Sequence, residues 1–222
     1  VVSDMGPYVA GIFICMEIIE SRMQTFAGIW EMLLLSIVVA SGVVLIAIFY
    51  VSKNKKVPTG LLIKKVWPAF LSVIKTGSIN DGYGQMEHDL NGKLGVEKHF
   101  AKVSLPHGLV LYMPANVIGT LLFTIYAAQK YNVTVSIGWI LVAIVLSVFL
   151  FVATPPVPGA NLLAYIMIFA QLSIPAIALI DAMIFDIIFG IFASAANQTM
   201  LQMELILQAD KIGLLDREKL QR

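Results

Sequence analysis

Residues 131–180 read YNVTVSIGWILVAIVLSVFLFVATPPVPGANLLAYIMIFAQLSIPAIALI, fifty positions without one Lys, Arg, Asp, Glu or His. The one marked interruption is Thr154-Pro155-Pro156-Val157-Pro158-Gly159, where prolines and a glycine end any helix. Crossing a hydrocarbon core takes about 20 predominantly apolar residues, with every backbone polar group satisfied within the protein. Two arrangements meet that demand. Either two full spans join in an uncharged six-residue loop, or the stretch is a re-entrant hairpin whose tip stays inside the protein. The hairpin is favoured, because a loop that reaches water usually carries polar or charged groups and this one carries a single threonine. Broken backbone at membrane depth is tolerated where it lines a protein cavity.

The rest of the chain agrees with a membrane setting. Of its 222 residues, 59% are hydrophobic and 13% charged, and the mean hydropathy is +0.86; an ordinary soluble domain carries about 25% charged residues. Fifteen basic residues against 14 acidic ones leave a formal net charge of +1, so no basic excess draws the chain to nucleic acid. The lone Cys15 sits in an apolar run and excludes an internal disulfide framework or a multi-cysteine metal site. The chain opens Val1-Val2-Ser3-Asp4, with neither Met nor a basic-then-apolar leader, so upstream segments are expected.

Residues 32–52 carry no charge and end in Lys53, Lys55 and Lys56, with Lys64 and Lys65 beyond, which predicts a transmembrane helix whose C-terminal end is cytoplasmic. Residues 5–16 are apolar but too short to cross alone. A second span is predicted over 103–128, running from His107 on the inside to Lys130 on the outside. Between these two, 66–74 is too short to span, 75–82 breaks the helix, and 83–102 is mixed in charge, so this piece enters and leaves on the cytoplasmic side. The last span, 182–203, is apolar apart from Asp186 and a polar face of Ser194, Asn197, Gln198, Thr199 and Gln202, and a cytoplasmic amphipathic tail follows. Trp30 and Tyr50 read as membrane-interface anchors.

Two broken hairpins, one entering from each face and each followed by a spanning helix, form the pattern of inverted-repeat transporters with discontinuous helices. Particular residues narrow it further. Trp67-Pro68-Ala69-Phe70-Leu71 leading to Thr76-Gly77-Ser78, then Lys93-Leu94-Gly95-Val96 and Leu105-Pro106-His107-Gly108, then Val157-Pro158-Gly159-Ala160, and finally Asp186, Asn197 and Lys211, stand in an order and spacing that resembles the dicarboxylate/amino acid:cation symporter family. The resemblance covers residues 5–211. It implies an all-α integral membrane fold with two re-entrant helical hairpins and discontinuous helices. It also implies a C-terminal transport-domain core over 62–211, preceded by helices over 1–61 and followed by a tail over 212–222. A multi-pass protein of the cell membrane, assembled as a homo-oligomeric trimer, follows from it too.

The same resemblance assigns a solute site to Thr76, Gly77, Ser78, Asn116, Val157, Pro158, Gly159, Asp186 and Asn197, and a weak cation site to Tyr112, Met113, Asn116 and Asp186. The departures bear on activity. Where the family has Asn-Met-Asp-Gly-Thr, this chain has Tyr112-Met113-Pro114-Ala115-Asn116, and where the pattern would put aspartates and a substrate-gripping cation it has Gly190, Leu201 and Ala193. Sodium, a hard cation wanting about six oxygen ligands, is therefore disfavoured as coupling ion, with the proton its substitute.

Each site residue also has a plainer reading. Asp186 is either a functional intramembrane carboxylate or an interfacial anchor, a role that suits Asp181 better. Asn197 lies eleven residues, three turns, further on the same helix face and is either a site residue or interhelical glue. Pro114 beside Asn116 either breaks the helix or kinks it. His107 is interfacial or proton-linked. The hairpin tips offer hydroxyls, carbonyls and half-helix N-termini, or plain turn chemistry.

The leading function is a secondary active transporter, symporter-like and elevator-type, that carries a small organic solute across a lipid bilayer. The alternative is a degenerate, non-transporting homologue that serves as a membrane assembly or regulatory subunit. No enzyme, cofactor or metal is expected, since no nucleophile–base pair and no His- or Cys-rich set occurs.

Overall fold

In the computed structural model, residues 24–77, 79–153 and 160–222 are described. The charge-free run around 32–52 winds into α1 (Gln24–Lys55), whose last turn carries Lys53 and Lys55 near the helix's negative end. Its side chains Leu34, Val38, Ile46 and Phe49 face outward, the surface a lipid-exposed helix presents. Next come α2 (Thr59–Thr76) and α3 (Ile79–Gly92), which pack on each other, then α4 (Lys98–Leu111) and α5 (Pro114–Lys130). The chain continues through α6 (Ile137–Ala153) and α7 (Ala160–Gln171), also packed together, to α8 (Ala178–Lys211) and the short α9 (Arg217–Gln221).

Every named element among the described residues is a helix, and an isolated antiparallel bridge joins Val96 to Leu215. Three stretches, Gly28–Lys55, Lys98–Lys130 and Ala178–Lys211, are long and apolar enough to cross a membrane. The predicted spans 32–52, 103–128 and 182–203 fall inside them. The protein is an all-helical membrane protein.

The first helix break is narrower than the predicted 75–82. Gly77 adopts a left-handed φ of 67° and returns its N–H to Val73 O at 2.8 Å, closing α2, and α3 begins at Ile79. Gly82 reads in sequence as part of the turn but lies inside α3, where a Cβ would stand 2.6 Å from Val73 Cγ2 and 2.7 Å from Gln198 Nε2. Close approach, not chain reversal, demands glycine there.

The break expected at Pro114 is present. α4 stops at Leu111, Tyr112 turns to φ −109° and ψ 85°, and α5 starts at Pro114. A residue before proline avoids the helical region, which ends α4 short of Met113. Pro106, by contrast, sits inside α4 without ending it.

Helices α6 and α7 have 17 and 12 residues, each shorter than a full crossing of about 20. The segment between them, with Val157, Pro158 and Gly159, lies outside the described residues, as do Ser78 and residues 1–23 with Cys15 and the apolar run 5–16.

The chain divides into two compact units, Val1–Val38 with Asn116–Gly190 and Val39–Ala115 with Ile191–Arg222. The first is built around aromatic rings: Phe123 stacks on Phe185 at 4.7 Å, Phe185 on Phe189 at 5.1 Å, and Tyr165 meets Phe123 and Phe169 edge-on. Gly119 lets the Phe189 ring lie against α5, a place no side chain could share. The second unit is aliphatic, with Leu62, Val66, Met86, Leu90, Leu105, Leu205 and Ile206 in one core. Its tail is not a simple amphipathic helix: only Arg217–Gln221 is helical, and Leu220 enters the core.

Candidate functional site

Broken helices expose backbone groups that need partners, and in the second unit the partner comes from α8. Ala115 is the second residue of α5, so its N–H has no acceptor within the helix. Asn197 Oδ1 accepts it at 2.8 Å. The polar face of α8 continues with Gln198, Thr199 and Gln202, all buried. Thr199 Oγ1 donates to Ala195 O at 3.0 Å, within its own helix. Both amide atoms of Gln202, which is 0% exposed, lack a hydrogen-bond partner among the described residues.

The tip of the α2–α3 pair belongs to the same unit. Thr76 Oγ1 donates to Ser72 O at 3.0 Å, and both Thr76 and Gly77 are exposed, with Gly77 approaching the Ile191 side chain. Lys75 is exposed at this tip as well. Tyr112 is half-buried with its N–H on Gly108 O, and Met113 is buried. His107, on α4, is exposed and bonds Val103 O through Nδ1 at 2.7 Å, so its ring satisfies its own helix.

In the first unit the central group is the Asp186 carboxylate. Asn161 Nδ2 donates to Asp186 Oδ1 at 3.0 Å and to Oδ2 at 3.3 Å, joining the first turn of α7 to α8. In the same unit, Thr120 Oγ1 on α5 donates to the phenol oxygen of the buried Tyr165 on α7 at 3.3 Å. Asn116 is buried at the start of α5.

Asp181, read as the better candidate for an interfacial anchor, is 3% exposed. Lys130 Nζ binds Asp181 Oδ2 at 2.6 Å and the Tyr131 hydroxyl donates to the same oxygen at 3.3 Å. The C-terminal end of α5 is thereby tied to the start of α8. This commits Lys130, the one Lys or Arg from 103 to 210.

Of the residues singled out from sequence, Asn197, Tyr112, Met113, Thr76 and Gly77 fall in the second unit, and Asn116 and Asp186 in the first. Sequence reasoning passed over Asn161, Thr120 and Tyr165. A signal existed for Asn161: it is the sole amide between 155 and 170, two positions after the Pro158-Gly159 tip. Thr120 and Tyr165 carry no such mark, since each also serves as an ordinary packing residue.

Chemically, the first unit holds a carboxylate bonded to a neutral amide, able to accept a proton or a donor group. The second holds a row of amides beside a helix start. Among the described residues, no group of three or more His, Cys, Asp or Glu is placed to hold a metal.

Comparison with curated proteins finds no match. The model of the sodium:dicarboxylate symporter family matches residues 1–203, and the chain belongs to that family.

Proposed function

We propose that this chain handles the solute in a secondary active transporter that carries a neutral or weakly polar organic molecule, such as a neutral amino acid, with proton rather than tight sodium coupling. Its family and its three long apolar helices make it a membrane transport protein rather than an enzyme. The pairs α2–α3 and α6–α7 act as re-entrant hairpins in a multi-pass protein of the cell membrane, and 62–211 moves as an elevator-type unit. Support for the second hairpin is length: 17 and 12 residues are too few for two crossings. The candidate solute ligands are Thr76, Gly77, Ser78 and Asn197 in the second unit and Asn116, Val157, Pro158, Gly159 and Asp186 in the first.

One observation carries the choice of solute. The Asp186 carboxylate is bonded to the neutral Asn161 amide, and no Lys or Arg occurs from 131 to 210. A second carboxylate on the solute would be buried there without a cation, at a cost of several kcal/mol. A dicarboxylate, which the family description names, therefore suits these residues poorly. Sodium is disfavoured on similar grounds, because Tyr112, Met113 and Asn116 stand where the family has Asn-Met-Asp-Gly-Thr, which leaves Asp186 as the one carboxylate of the candidate set where a hard cation wants about six oxygens.

The test is uptake by the full-length protein in proteoliposomes, with neutral amino acids, aspartate and succinate, under a pH gradient and with sodium or choline outside. Uptake of a neutral amino acid that survives choline and is lost in Asp186→Asn is expected. Uptake of aspartate or succinate alone, abolished by choline, would overturn the reading. No uptake of any solute would favour the alternative, a non-transporting assembly or regulatory subunit.

A further inference from the structure

A five-residue helix such as α9 is too short to persist alone, since helix nucleation is costly. Here it is held from three directions within the second unit. Asp216 N–H donates to Gly95 O at 2.7 Å and Glu97 N–H to Leu214 O at 3.0 Å, flanking the Val96–Leu215 bridge. Gly95 has φ +73°, and any side chain there would strike the Asp216 carbonyl. Asp210 at the end of α8 binds both Lys55 and Arg217, the latter through Nη2 at 2.8 Å.

The third hold is a buried lysine. Lys65, on α2, sends its three ammonium protons to Lys93 O at 2.8 Å, Lys219 O at 2.7 Å and Leu220 O at 2.7 Å. Those carbonyls stand just past the end of α3 and at the end of α9, where helices leave acceptors unused. One side chain thus closes two helix ends. Leu220, 1% exposed, anchors the same turn in the aliphatic core.

We infer that the C-terminal segment 212–222 is a strap, keyed by Lys65, that fastens the base of the α2–α3 pair to the end of α8. The first turns of α2, the connector 93–97 and the tail then form one block, and any opening of the pair is confined to the end that carries Thr76 and Gly77. This goes beyond the transport reading and stands or falls independently of the solute.

Hydrogen exchange on the full-length protein in detergent tests it. Amides of 214–221 are expected to exchange as slowly as those of 59–66. Lys65→Met, which keeps the stem and removes the donors, is expected to speed exchange about tenfold or more at 93–97 and 214–221 while leaving α5 and α6 unchanged. Tail amides at the unprotected rate in the unaltered chain would overturn the strap, as would Lys65→Met accelerating every helix alike or none. Should Lys65→Met fail to fold, Val96→Cys with Leu215→Cys in a Cys15→Ser background serves instead. The strap predicts a disulfide on mild oxidation with no fall in thermal stability; no disulfide, or one that destabilises, would overturn it.

Discussion

From 116 to 190 the chain has three charged residues, Lys130, Asp181 and Asp186, and its unit is packed on rings. The other unit carries its charges in clusters: Lys55 and Arg217 share Asp210, Lys93 and Gln85 share Asp89 Oδ1, and Lys65 meets three carbonyls. In the ring-packed unit these two carboxylates have one or two partners each, Asn161 for Asp186 and Lys130 with Tyr131 for Asp181. In the clustered unit a lost contact leaves others standing. The difference teaches where single substitutions should be severe and where they should be graded.

The largest loss is expected at the C-terminal end of α5. Lys130→Met would leave Asp181, 4% exposed at its side chain, with only the Tyr131 hydroxyl. Removing one partner of a buried pair costs about 3–5 kcal/mol, because the remaining charge is left uncompensated. Adding Asp181→Leu should recover most of that loss. Chemical unfolding of the purified protein measures both. A cost for Lys130→Met within the range of about 0–1 kcal/mol typical of surface pairs would erase the contrast between the units.

A smaller effect sharpens the comparison inside α8. Asn197 and Gln202 are both buried amides on its polar face, yet Asn197 satisfies Ala115 N–H and Gln202 has no hydrogen-bond partner among the described residues. Asn197→Leu should therefore cost about 1–3 kcal/mol, the penalty of orphaning a buried donor. Gln202→Leu should be neutral or stabilising by about 1 kcal/mol, since it removes an unmet amide at similar volume. Equal losses at the two positions would mean that Gln202 has a partner of its own.

The positions of the spans could be read from sequence because a helix in lipid needs a long run of apolar side chains, and 32–52, 103–128 and 182–203 supply it. The break at Tyr112 and Met113 was legible from Pro114, since proline restricts the residue before it. The extent of the first turn was not. Asn80, Asp81 and Gly82 are turn formers by type, and only the approach of Val73 and Gln198 to Gly82 shows why α3 runs through them. Pairings across the chain were equally hidden. Lys130 and Asp181 are 51 residues apart, Lys65 and Leu220 are 155 apart, and no local pattern links such residues. Asp186 stands out as a lone carboxylate in an apolar helix, whereas Asn161 is marked only as the sole amide between 155 and 170, which does not by itself name its partner.

The smallest expected effect lies at the start of α4, in the clustered unit. Glu97 is the N-cap, and its Oε2 accepts Phe100 N–H at 2.7 Å. Bonds from the backbone N–H groups of His99 and Phe100 hold its carboxyl below the usual glutamate range, and a helix N-terminus favours negative charge in addition. A carboxyl whose pKa is lower folded than unfolded adds stability above its unfolded value, about 4.3, and that contribution is lost as pH falls through the folded value. Glu97→Gln keeps an acceptor oxygen but removes the charge. The thermal transition of the unaltered protein should thus exceed that of Glu97→Gln by a small, constant margin above about pH 5, and the two should converge as the solution is acidified past 4.3 or so. Neighbouring contacts, including Glu97 N–H to Leu214 O, remain in the variant, which keeps the effect modest. A margin that widens in acid would show that the cap works as a neutral acceptor, and that this unit's stability at α4 does not come from charge.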